Sequence, residues 1–225
     1  MAASTSAPVE RPLYSDAASG VLFNLAGDSW IGDTRLPTGV ILLPVQRQAV
    51  AIRLAPGARL AGIRFHPAAG LAVMGHYPDG PTALTPQQDQ RLQLQALHSR
   101  LQQNTEPLTA LHRWCEQTLA GVNQMPSTLT SSLADLRAHE PPAPLSNPLL
   151  LSQRQLERQF RRWLDMTPKQ FQRIMRIRNS IHHLRQHPDC PLADLAARFG
   201  FSDQAHMTRE FRAIASTTPG QLRSG

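Results

Sequence analysis

The sequence predicts an α+β protein, with a mixed, β-rich N-terminal domain ahead of an all-α domain in which a long helix joins two helix-turn-helix units. Three observations carry this. Residues 21–65 fall into short apolar runs separated by turn residues, the pattern of strands. Pro141, Pro142, Pro144 and Pro148 crowd into one stretch and divide the chain. Beyond them the chain aligns with itself at an offset of 51 residues.

The elements follow in order. Residues 1–19, rich in Ala, Ser and Pro, lack the basic and apolar regions of a signal peptide and read as a flexible arm, so export is not expected. Apolar runs at 21–25, 40–43, 49–54 and 59–65 predict strands. Pro56-Gly57, set between two alternating runs, predicts a hairpin. Residues 67–75 predict a short helix closed by Gly75. Leu92, Leu94, Leu97 and Leu101 predict one helix over 84–101, started at Thr85-Pro86. Leu108, Leu111, Trp114, Cys115 and Leu119 predict a second over 107–119, so that the pair forms a helical hairpin or a dimer surface. Residues 20–126 are therefore assigned to a sensor or dimerisation domain, 127–144 to a linker region containing a helix near 129–139, and 145–225 to the helix-turn-helix domain.

Charge separates the two parts. Residues 1–145 hold ten arginines against ten acids, whereas residues 146–225 hold twelve arginines and one lysine against six acids, which accounts for the net +7 of the 225-residue chain. The last third is thus the part that meets a polyanion, and charge alone does not choose between nucleic acid and an anionic surface. The chain has no apolar run near the roughly 18 residues needed to span a bilayer, and no membrane partner is expected. Two cysteines, Cys115 and Cys190, are too few for a disulfide framework or a four-cysteine zinc site and fit a reducing cytoplasm.

The repeat aligns residues 152–160 with 203–211, Arg161 with Arg212 and Thr167-Pro168 with Thr218-Pro219. Each copy opens on a capping residue, Ser152 or Asp203, and ends before a Thr-Pro that starts the next helix. Leu156 and Phe160, and likewise Met207 and Phe211, lie four apart and face a core. The opposite faces present Gln153, Arg154, Glu157 and Arg158 in one copy and Gln204, Ala205, Thr208 and Arg209 in the other, with His206 at the edge. Ahead of the second copy, Leu195-Ala196 and Gly200-Phe201 supply the close helix contact and the tight turn of a helix-turn-helix. A helix of about 17 residues between the copies, roughly 25 Å long, would set two reading helices near one turn of B-DNA apart.

These residues resemble the DNA-binding domain of the AraC/XylS family of bacterial transcription regulators. The resemblance rests on Leu156-x-Arg158-x-Phe160-Arg161, Thr167-Pro168, Arg176-Ile177, Leu195-Ala196, Gly200-Phe201, Arg209-x-Phe211-Arg212 and Thr218-Pro219. It implies sequence-specific binding of double-stranded DNA at promoters, activation through RNA polymerase, and action in the cytoplasm at the nucleoid. Carried over by position, base reading falls on Arg154, Glu157, Arg158, Gln204, Ala205, His206 and Arg209, with Gln153 beside them. Phosphate contact is assigned to Arg161, Arg173, Arg176 and Arg212, and the turn and caps to Ser152, Gly200 and Asp203. Residues 62–70 are similar to part of the β-rich sensor domain of one branch of the family, which leaves a small-molecule effector and a homodimer as open inputs.

The sequence departs from the family at several points. Pro148 and Leu150 occupy the helix and turn before the first reading helix, Asp165 and Ser216 stand where a left-handed glycine is usual, and Leu222 replaces an aromatic.

The alternative is a cupin-like metal- or small-molecule-binding protein, or an enzyme, in which His66, His76 and Asp79 carry the site and the basic helices dock a protein partner. No phosphate loop, nucleophile elbow or dinucleotide fingerprint supports an enzyme, and no cofactor is called for. His182, His183 and His187 lack the accompanying Cys or carboxylate of a metal site.

Overall fold

A computed structural model of the chain describes residues 2–3, 6–103, 106–119, 125–138 and 152–223. Contacts divide it into two compact units, the first built from residues 1–13, 18–45 and 50–125, the second from Pro126–Gly225 with Tyr14–Ala17 and Gln46–Ala49.

The first unit contains β1 (Ala2–Ala3), β2 (Val9–Leu13), β3 (Gly20–Ala26), β4 (Ser29–Ile31), β5 (Thr34–Arg35), β6 (Gly39–Leu43), β7 (Val50–Leu54), β8 (Arg59–Arg64), α1 (Ala69–Met74), β9 (Thr82–Ala83), α2 (Pro86–Leu92), α3 (Leu94–Gln103) and α4 (Pro107–Leu119). Its strands form two antiparallel sheets, ordered β1-β8-β3-β6-β9 and β2-β7-β4-β5. Strand side chains alternate in direction, and here both directions are buried. Val21, Phe23, Leu25, Val40 and Leu42 pack with Leu94, Leu97, Leu101, Leu111 and Trp114 of the helices. On the other side, Ile41 and Leu43 pack with Leu36 and Ile31, and Leu60 packs with Leu54 and Ile52. Strands covered on both faces become continuous apolar runs, which is why residues 40–43 show no polar alternation.

Two local readings are corrected by the tertiary structure. Pro56-Gly57 does not close a hairpin, because β7 pairs with β2 and β4 while β8 pairs with β1 and β3. The turn instead carries the chain from one sheet to the other, with the Ala58 N–H bonded to the Ala55 carbonyl and Ala58 fully buried. Residues 84–101 are likewise not one helix. Leu92 and Leu94 are both buried, yet positions two apart lie about 200° around a continuous helix and cannot face one core. Gln93 resolves this by taking φ 54, which ends α2 and starts α3. The Asp89 carboxylate accepts from the Gln95 N–H at 2.9 Å, and the Trp114 indole donates to the Leu92 carbonyl at 2.8 Å. Thr85 starts α2 as expected, through a reciprocal capping box with Gln88.

The second unit consists of α5 (Ser127–Ala138), α6 (Gln153–Leu164), α7 (Pro168–Gln186), α8 (Leu192–Arg198), α9 (Gln204–Ala215) and α10 (Pro219–Arg223). Residues 127–138, read from sequence as part of a linker region, form α5, whose Leu129, Leu133 and Leu136 are buried within this unit. The rest of that region, with Pro148 and Leu150, lies outside the described residues. The core gathers Leu156, Phe160 and Leu164 of α6, Phe171, Ile174, Met175, Ile181 and Leu184 of α7, Leu195 and Ala196 of α8, and Met207, Phe211 and Ile214 of α9. Phe160 meets Phe171 edge to face at 5.7 Å.

Asp165 and Ser216 close α6 and α9 with φ 54 and φ 52, the left-handed conformation their positions in the repeat demand. Ser lacks the local tolerance that Asp has there. Ser216→Gly is therefore expected to raise stability by about 0.5–1 kcal/mol, and Asp165→Gly by less. Equilibrium urea unfolding checks this, and a destabilised Ser216→Gly would contradict it.

Candidate nucleic-acid interface

Helices α6 and α9 are each fixed at the start by a side chain. Ser152 caps α6 through a capping box in which its N–H donates to Gln155 Oε1 at 2.9 Å and the Gln155 N–H donates to Ser152 Oγ at 3.3 Å. Asp203 caps α9, taking the His206 N–H on Oδ1 at 2.6 Å. That backbone hydrogen bond holds the Asp203 carboxyl below the usual carboxylate range, with help from the Ser202 hydroxyl and the Arg209 charge. Thr167 and Thr218 cap α7 and α10 through the same Thr/Gln box. The S/T-x-x-Q spacing was present in the sequence at all three positions.

The helix-turn-helix of α8 and α9 turns at Gly200, whose φ of 67 only glycine adopts without strain. The Phe201 N–H returns to the Ala196 carbonyl at 2.9 Å, and Phe199 and Phe201 are buried on either side of the glycine.

With the core positions fixed, the outward faces are fixed too. On α6 the exposed residues include Gln153, Arg154, Arg158, Arg161 and Arg162, with Glu157 half-buried and accepting from Gln153 Nε2 at 3.3 Å. On α9 the exposed residues include Gln204, Ala205, Arg209 and Arg212, with Thr208 half-buried. These sets occupy equivalent positions in the repeat: 154 and 205, 158 and 209, 161 and 212.

Three of the residues singled out from sequence make contacts within the unit. Arg173 forms a bidentate pair with Glu210, Nε to Oε2 at 2.7 Å and Nη2 to Oε1 at 2.8 Å. Burial would push the Glu210 carboxyl up, but the Arg173 hydrogen bonds and the charges of Arg173, His206 and Arg176 outweigh it and hold it below the usual range. His206 points to the α7 side, where it lines a cleft of about 420 Å³ with Lys169, Gln172, Arg173, Arg176 and Glu210. Its Nδ1 lies 3.1 Å from Ser202 Oγ. Arg176 stacks over Phe201 at 5.3 Å from the ring centroid. No sequence signal links Arg173 to Glu210, because they are 37 residues apart and the aligned partner of Glu210 is Gln159, which instead donates to Thr128 Oγ1 of α5.

Among the described residues, no three or more His, Cys, Asp or Glu are grouped to hold a metal, and no helix is long and apolar enough to cross a membrane. His66 Nδ1 lies 3.1 Å from the Pro67 carbonyl, and His76 Nε2 lies 3.3 Å from Gln88 Nε2.

The Arg173–Glu210 pair predicts a specific acid response. Because the folded carboxyl titrates below its ordinary value, its stabilisation is complete above the ordinary glutamate range and is lost as pH falls through the lowered value. Glu210→Gln is expected to cost about 1–2 kcal/mol at neutral pH, the pair being partly exposed, and the gap from wild type should close in acid. Denaturant unfolding across pH measures this, and a gap independent of pH would refute the assignment.

Residues 145–225 match the family model described as a helix-turn-helix domain. The HTH-type transcriptional activator RhaS of Enterobacter sp. (strain 638) is 32% identical over 110 residues, 49% of this chain and 38% of that protein. RhaS of Escherichia coli O9:H4 (strain HS) is 35% identical over 75 residues, 33% of this chain and 27% of that protein. The chain thus matches well under half the length of these curated relatives. Among solved structures, ToxT from Vibrio cholerae O395 aligns over 98% of this chain and 94% of its own with 10% identity and a TM-score of 0.47.

Proposed function

We propose that this chain is a sequence-specific DNA-binding transcription regulator of the AraC/XylS family, most simply an activator, acting in the cytoplasm at the nucleoid; the match of residues 145–225 and the likeness to RhaS support the reading. The observation that carries the reading is the pair of equivalent outward faces on α6 and α9. Each places arginines one turn apart, at 158 and 161 and at 209 and 212, on helices whose other side is sealed into one core. Helix α7 between them has 19 residues, about 28 Å at 1.5 Å per residue, which supports insertion of both heads near one helical turn apart on one DNA face.

In this reading α6 contacts bases through Gln153, Arg154, Glu157 and Arg158, and α9 through Gln204, Ala205 and Arg209. Arg161, Arg212 and Arg176 take phosphates. Arg173 holds α9 onto α7 instead of binding a phosphate, and His206 is held at the start of α9. The first unit supplies the input, as a sensor or a dimerisation surface, and RNA polymerase is the partner of the activated state. The division of the chain near residue 126 is kept, with β1 and β2 joined to the first domain through their pairing with β8 and β7, and with α5 added to the DNA-binding part on the strength of its buried leucines.

The test is selection of random duplex DNA by the full chain at roughly 0.15–0.2 M salt, which suppresses binding through phosphates alone. An asymmetric motif with two half-elements about 10 base pairs apart is expected. Arg158→Ala and Arg209→Ala should each weaken specific binding by about 1–3 kcal/mol and relax base choice in one half-element. Unchanged base preferences in both variants would sink these reading roles.

A further inference from the structure

The outward face of α9 differs in chemistry from that of α6. Ala205, Thr208, Arg209 and Arg212 line, with Gln204, an open concavity of about 490 Å³. Ala205 stands where α6 has Arg154, and Thr208 where α6 has Glu157. The Thr208 hydroxyl gives its proton to the Gln204 carbonyl at 2.9 Å, so it offers a ligand no donor, only its methyl and the acceptor side of its oxygen. Ala205 is exposed and adds a second methyl three residues earlier on the same face. His206, the neighbouring polar candidate, is turned toward α7, with its ring 5.7 Å from that of Phe201. The concavity therefore offers two methyl groups flanked by guanidinium groups.

In the major groove thymine alone among the four bases carries a methyl group, while guanine offers O6 and N7 to an arginine. We propose that α9 reads a thymine by methyl contact with Ala205 and Thr208, beside a guanine held by Arg209, whereas α6 reads through charged and amide groups alone. This rests on the DNA-binding reading above. From Ala205 to Arg209 the helix rises about 6 Å, close to two base steps of about 3.4 Å, so the thymine and the guanine lie within two steps of each other.

The experiment uses the full chain and the operator enriched from random duplex, with the α9 half-element identified by the altered preference of Arg209→Ala. Each dT of that half-element is replaced in turn by dU, which lacks only the methyl group. One replacement should weaken binding about fourfold, the ~0.8 kcal/mol of one buried methyl. The penalty should vanish in Thr208→Ser, which keeps the hydroxyl, or in Ala205→Gly, and no dU in the other half-element should carry one. An enriched operator with no sensitive dT in the α9 half-element, or a penalty unchanged in both variants, overturns the inference and leaves the DNA-binding reading standing. Failure to enrich any operator overturns both.

Discussion

Helix α7 has to be buried on several sides at once, and the arrangement of the second unit depends on that constraint. Phe171, Ile174, Met175, Ile177, Ile181 and Leu184 are all buried, so nearly every turn of the helix contributes to the core. At its N-terminal end Phe171 meets Phe160 of α6, and two residues later Arg173 grips Glu210 of α9. A helix held this way cannot rotate about its axis without exposing apolar surface or breaking the ion pair. The angles of α6 and α9, and hence the directions of their outward arginines, are set by α7 more than by their own sequences.

The parts of this arrangement that were legible in the sequence are those fixed by short-range rules. Caps at Ser152, Asp203, Thr167 and Thr218, the glycine turn at Gly200 and the four-residue spacing of Leu156 and Phe160 or Met207 and Phe211 each follow from backbone chemistry within one turn. The 51-residue offset then joined them into two copies of one unit. What could not be read was anything decided by a distant partner. The break at Gln93 exists because the Leu92 and Leu94 side chains share a core, and the alternation around Pro56-Gly57 says nothing about which sheet each strand joins. The sequence predicts a helix at α5 but sets it in a linker region, because proline density is a local signal and the burial of Leu129 and Leu133 is a tertiary one.

The first unit follows the opposite economy. β3 and β6 are covered on both faces, one by the second sheet and one by α3 and α4, so the space between these layers is filled by Phe23, Ile41, Leu42 and Leu101. A ligand admitted between them would have to displace close-packed side chains, whereas the outer surface of the α3–α4 hairpin leaves Leu108 and Leu119 exposed. On the proposed reading, an input signal would therefore be received more readily at the helical surface than inside the strands.

On the proposed reading, the two heads divide the energetic work of recognition unequally. Arg154, Arg158, Arg161 and Arg162 line one exposed side of α6, whereas the equivalent positions of α9 carry Ala205, Arg209, Arg212 and Ala213. Phosphate attraction scales with the number of cations brought to the backbone and falls steeply with salt, while base discrimination depends on a few groups held in fixed geometry. On the proposed reading, α6 supplies the larger share of salt-sensitive affinity. Helix α9, clamped by Arg173–Glu210 and capped by Asp203, supplies discrimination that is less sensitive to salt. On that reading the clamp on α9 is what makes small groups such as Ala205 and Thr208 useful there, because a displacement of about 1 Å already forfeits up to half of a methyl contact, whereas a long arginine side chain would absorb it.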